Sequence, residues 1–231
     1  MLNANPIYLS HIITKDTPRY GDKGIVEIPR TREISKGHTS NNSELHFSAH
    51  FGTHIDAPFH FFEKGNTIDD YPPEFWICNH PYIINYKASS EEILGMDNLI
   101  NQLSEIPDKC DFLLINTKFS RFRNSDKQKY IFHNPGISPE VGTWLRKNTS
   151  IKMIGFDFIS LSSYANRDLG REAHLAFLSE LRVNQEKIDP ILIVEDMDLS
   201  KLNACPSKVI ISPLRFEMAD GTPVTVFAFY G

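Results

Sequence analysis

The stretch His46-Phe47-Ser48-Ala49-His50-Phe51-Gly52-Thr53-His54-Ile55-Asp56-Ala57-Pro58-Phe59-His60 decides how this chain is read. Its even positions carry His46, Ser48, His50, Gly52, His54, Asp56, Pro58 and His60; its odd positions carry Phe47, Ala49, Phe51, Thr53, Ile55, Ala57 and Phe59. One face is polar and rich in imidazole. The other is apolar apart from Thr53. Period-two alternation predicts an extended segment with one buried face. His46, His50 and His54 also repeat at helical spacing, but Gly52, Thr53, Ile55 and Pro58 disfavour a helix interior. A straight strand rises ~3.3 Å per residue and would hold His50 and His54 roughly 13 Å apart, too far to share an ion. A strand that gathers these side chains must turn, and Gly52 is the residue that permits a bend. Pro58 then ends regular pairing.

The run His50-x-Gly52-Thr53-His54-x-Asp56-x-Pro58-x-His60 resembles the signature of the cyclase / kynurenine formamidase family of metal-dependent hydrolases. Its length and fixed spacing set it apart from a lone histidine pair. The resemblance implies an α/β fold, a β-rich single domain of the swivelling β/β/α type spanning residues 1–231. It also implies that a helix-borne His174 and a strand-ending Glu195 join His50, His54 and Asp56 as metal ligands. The connection through Val183–Pro190 is longer than formamidase members lead one to expect, so Glu172 stands as the alternative carboxylate. The Leu9-Ser10-His11 opening, the Tyr20-Gly21-Asp22 turn, the strand end Gly155-x-Asp157 and the turn Ala219–Pro223 match the family as well. The resemblance thus covers nearly the whole chain, although only the central motif is highly specific. A homodimer or higher homo-oligomer is expected, because the family usually assembles.

A donor set of imidazole and carboxylate without sulfur suits a divalent metal, Zn²⁺ first and Mn²⁺ second. Two carboxylates can bridge, so one or two ions per chain are expected. Such a metal lowers the pKa of bound water towards ~7 and polarises a carbonyl. The expected activity is hydrolysis of a carbon–nitrogen bond, amide or formamide, in a small aromatic substrate by metal-bound hydroxide. His60 lies on the face of Asp56 but beyond Pro58, and an imidazole pKa of ~6.5 suits acid–base work. Orienting Asp56 is its other reading. Two other functions compete: a biosynthetic cyclase or dehydratase using the metal as Lewis acid, and a non-catalytic metal-binding domain. A structural site would have no use for His60.

The net charge of -5 gives no reason to expect nucleic-acid or anionic-membrane binding. No apolar run approaches the ~20 residues of a membrane span, and Met1–Pro6 lacks a leader pattern. Cys78, Cys110 and Cys205 are widely spaced and odd in number, so free thiols in a reducing cytoplasm are expected. Strands are predicted over 7–11, 25–28, 82–86, 111–117, 151–157, 191–196, 209–212 and 224–229. Helices are predicted over 90–94, 96–103, 138–145 and 171–181, and a loop over 30–43. Arg121, Arg123, Lys127 and Lys129 read as a solvated face. Tyr71–Trp76 reads either as a pocket wall or as core packing, and His11 either as a pocket residue or as a structural one. Asp157 is expected to orient neighbours rather than bind metal.

Overall fold

The apolar runs centred on Leu114, Ile154 and Ile193 form adjacent parallel strands, fully buried as their composition requires. The computed structural model describes residues 5–230; the leader reading of Met1–Ala4 falls outside them. The main sheet contains β1 (Ile7–Tyr8), β2 (His54–Asp56), β3 (Ile77–Cys78), β4 (Pro81–Asn85), β5 (Phe112–Asn116), β6 (Met153–Phe156), β7 (Leu192–Glu195), β8 (Lys208–Pro213) and β9 (Gly221–Phe229). Its order is β3-β8-β9-β2-β7-β6-β5-β4, with β1 beside β9. Strands β4 to β7 are mutually parallel, and every pairing from β7 through β2 to β3 is antiparallel. The edge strands β3 and β4 are joined only by Asn79 and His80. Three Cα–Cα steps span at most about 11 Å, so the edges meet at one end and the sheet is nearly closed. This is the β-rich α/β architecture expected.

The sheet faces two cores. Ile55, Leu114, Met153, Leu192, Val194 and Val226 fill the inner one. Leu113, Ile115, Ile154, Phe156 and Ile193 face the other, with residues of α1 (Met96–Ser104), α2 (Pro139–Asn148) and α3 (Arg167–Leu178). Side chains alternate along strands. His54 and Asp56 therefore point opposite to Ile55, and Glu195 points with Ile193, towards the helices. Helix α3 buries Gly170, Ala173, His174, Phe177 and Leu178, the i, i+3, i+4, i+7, i+8 stripe of an amphipathic helix.

Several expected elements shift. The extended run of 46–60 shrinks to β2, preceded by a single bridge between His46 and Glu27 and followed by a 3-10 turn at Pro58–His60. That bridge is all that forms of the strand expected over 25–28. The loop of 30–43 contains a short ribbon, Arg30–Arg32 with Asn42–Ser43. Residues 90–94 are not helical. Glu92 accepts from Tyr86 Oη and from the Ser89 N–H, Glu91 has a φ of 62°, and Ile93–Leu94 pairs with Gly136–Ile137 instead. Helix α3 begins earlier than expected, so His174 sits well inside it, and Leu181 lies beyond its end. Arg123 is buried rather than solvated and forms a bidentate pair with Asp196, at 2.8 and 2.7 Å.

Candidate metal centre

The turn at Gly52 begins the site. Its φ of +64° is the left-handed conformation that glycine adopts without penalty. The bend directs the Gly52 carbonyl to accept from His54 Nδ1 at 2.8 Å. Thr53, the polar exception on the apolar side, donates from Oγ1 to the Asp196 carbonyl and accepts the His11 N–H at 2.9 Å. The motif is thereby tied to the residue after Glu195. His11 itself stays outside the cleft; its Nε2 is buried without a partner, and burial lowers its pKa.

Strand register then places the acids. Glu195 lies directly across from His54, and Asp56 lies between Ile193 and Gly221. On α3, His174 Nδ1 donates to the Gly170 carbonyl at 2.8 Å. A carbonyl only accepts, so Nδ1 carries the proton in both His54 and His174. Their Nε2 atoms face carboxylate oxygens. His54 Nε2 lies 3.4 Å from Glu195 and 3.5 Å from Asp56; His174 Nε2 lies 3.5 Å from Glu195 and 3.7 Å from Asp56. All four side chains are buried. Two imidazole nitrogens aimed at two carboxylates need positive charge among them. A tetrahedral ion with bonds of about 2.0–2.1 Å separates its ligand atoms by about 3.3–3.4 Å, close to this spacing. The donor set fits a divalent cation on geometry and on chemistry. Burial pulls the pKa of His54 and His174 down, but Glu195 and Asp56 outweigh it and raise both. Glu195 is held in place by the Leu161 N–H at 2.6 Å and Ser160 Oγ at 3.2 Å.

His50, the further ligand expected from the motif, flanks these four, with both ring nitrogens turned to carboxylates. Nδ1 lies 2.7 Å from Asp56 Oδ1, and Nε2 lies 2.8 Å from Asp220 Oδ2. Burial opposes its charge, yet the two carboxylates push its pKa up to about 10. In this state it is an imidazolium donating from both nitrogens. His50, Asp56 and His60 form a second close group that shares Asp56 with the first. His60 stacks on His50 with centroids 3.8 Å apart, and its Nδ1 lies 3.0 Å from Asp220 Oδ2. Hydrogen bonds from His50 and His60 hold the Asp220 carboxyl well below the usual range.

Asp220 is the residue that sequence reasoning missed; it was read only as part of a turn. Gly221 beside it is equally specific. A Cβ there would collide with the His50 ring, 2.9 Å from Nδ1, and lie 2.8 Å from the Ile55 carbonyl. Glu172 is exposed on α3, away from the buried donors. The longer His-to-Glu connection is a hairpin, Leu181–Val183 with Glu186–Ile188, closed by Asn184 and Gln185 at φ 50° and 69°. It absorbs the extra length and leaves Glu195 at the site. Asp157 accepts from Thr117 and Ser120, as an orienting residue. Trp76 packs in the inner core, whereas Tyr71 and Phe75 line a separate cavity behind Pro58. The cysteines are free.

The site opens into a cavity of about 240 Å³ walled by Tyr20 and Phe61. Among the described residues no helix is long and apolar enough to cross a membrane. Comparison with known proteins gives consistent relatives. A cyclase-like protein 3 of Oryza sativa subsp. japonica is 26% identical over 227 residues, covering 94% of this chain and 76% of its own. A kynurenine formamidase of Bacillus cytotoxicus is 26% identical over 200 residues, covering 86% and 83%. The structure of isatin hydrolase A from Ralstonia solanacearum superposes with a TM-score of 0.77 at 19% identity, over 98% of this chain and 92% of the other. The sequence profile of the family described as "Putative cyclase" matches residues 7–163, which is most of the chain and includes the whole His50–His60 motif, and the protein therefore belongs to that cyclase family.

Proposed function

We propose that this protein is a metal-dependent hydrolase that cleaves a carbon–nitrogen bond in a small aromatic amide or formamide. The observation that carries the reading is the convergence of His54 Nε2 and His174 Nε2 on Asp56 and Glu195, at the floor of a cleft that also contains His60. Similarity to a formamidase and to an isatin hydrolase supports it. A divalent cation held by His54, His174, Asp56 and Glu195 would supply an acidified water and a polarised carbonyl. Zinc suits the spacing and manganese the carboxylates.

The chain's own residues handle the protons. With Nδ1–H donated to Asp220, His60 exchanges protons through Nε2, taking one from the attacking water and returning it to the leaving amine. His50, fixed between Asp56 and Asp220, keeps both carboxylates in register. Metal content and turnover of an aryl formamide, measured on the same preparations, test the reading. His60→Ala keeps its metal and loses roughly 10²–10⁴ in turnover, whereas His54→Ala loses both. A metal-loaded protein inert towards aryl formamides, or loss of metal from His60→Ala, overturns it.

A further inference from the structure

Arg167 and Arg171 sit on α3 with His174, at i, i+4 and i+7, along one side of the helix. At 1.5 Å per residue they precede His174 by about 10.5 and about 4.5 Å along the axis. Both line a cavity of about 400 Å³ together with Tyr20, His60, Phe61 and Ser162. Those same four residues line the cavity over the metal centre, so the two cavities are one cleft.

Among the described residues neither arginine side chain makes an ion pair or a hydrogen bond; Arg167 only lies over the Tyr164 ring, 5.4 Å from its centroid. The floor of the cleft carries Asp56 and Glu195, and Asp220 is bonded to His50 and His60 beside it. A divalent cation and the His50 imidazolium would offset these three carboxylates, and Arg19 in the wall is paired with Asp22, so the uncompensated positive charge of the cleft lies at the arginine end, where the start of α3 adds its own positive end. The walls between are the rings of Tyr20 and Phe61, the latter stacked on His174 at 4.4 Å.

We infer that Arg167 and Arg171 bind a substrate carboxylate, so that the substrate is an aromatic amide with a carboxylate roughly 5–10 Å from the reacting carbonyl; this rests on the hydrolase reading above. The ring fills the space between Tyr20 and Phe61. The carboxylate fixes which end of the molecule reaches His60.

The test compares para-formamidobenzoate with its uncharged carboxamide on the metal-loaded protein. In the Arg167→Gln/Arg171→Gln double variant the ratio of kcat/KM for carboxylate over carboxamide falls roughly tenfold or more, mainly through KM, as expected for a lost charge-assisted pair. Arg171→Lys recovers part of the ratio. An unchanged ratio overturns the inference. If the wild-type protein hydrolyses neither compound, the hydrolase reading fails, and calorimetry with benzoate and benzamide decides the arginine site separately. Benzoate binding that the double variant loses supports it; equal binding of the two compounds, or none, overturns it.

Discussion

His60 donates from Nδ1 to Asp220 Oδ2 across 3.0 Å, and the two residues lie 160 positions apart in the chain. The carboxylate fixes the ring and its tautomer, which the proposed proton transfer needs. Asp220→Asn is expected to keep the metal and to lower turnover of an aryl formamide roughly 10²- to 10³-fold, within the usual contribution of a positioned acid–base group. Elemental analysis and turnover on one preparation check this; wild-type turnover in the variant would remove Asp220 from the mechanism.

Gly221 is expected to tolerate no side chain. A Cβ would strike the His50 ring and the Ile55 carbonyl, and backbone cannot yield as a flexible side chain can. Gly221→Ala should cost about 1–3 kcal/mol in urea unfolding, the usual range for overpacking, and should also lower activity by displacing His50. A variant of normal stability and activity would mean that the strand relaxes freely.

The two acids of the His-to-Glu region should separate cleanly. Glu195 is buried against His54 and His174, whereas Glu172 is exposed. Glu195→Gln is expected to lose most metal and activity, and Glu172→Gln to stay within about 0.5 kcal/mol of wild-type stability, as surface changes do. Metal content ranks them; the reverse order would place the distal ligand on α3.

Metal uptake should release protons. The pKa values of His54 and His174 are raised because Glu195 and Asp56 outweigh burial, so the metal-free protein holds protons there at a pH where free imidazole has lost them. Each must leave before Nε2 can ligate. Apparent affinity therefore rises with pH through the raised values and levels off above them. Calorimetry in two buffers of different ionisation enthalpy measures the protons released; affinity that is flat between about pH 6 and about pH 8 would contradict the assignment.

The central motif was legible because its chemistry sits on alternate positions of one short segment. The bend at Gly52 followed from the span between His50 and His54, and the structure has it. The role of Thr53 was not legible, since its acceptor belongs to Asp196, 143 residues away. Asp220 was hidden for the same reason, and because an Asp-Gly pair reads as an ordinary turn. Arg123 reads as solvated because its neighbours are basic, while its partner lies 73 residues on. The helix expected over 90–94 failed because Glu92 spends its carboxylate on Tyr86 and the Ser89 N–H, an arrangement that periodicity does not encode.

Arg146 holds the base of the Leu181–Ile188 hairpin. Its guanidinium donates to the carbonyls of Ala176, Ile188 and Asp189, gripping both the departing and the returning chain. Changes of length beyond that clamp are expected to leave Glu195 in place. The hairpin is a spacer whose length can drift over evolution, or be altered by an engineer adding a reporter peptide at Asn184–Gln185, while the reaction chamber keeps its dimensions.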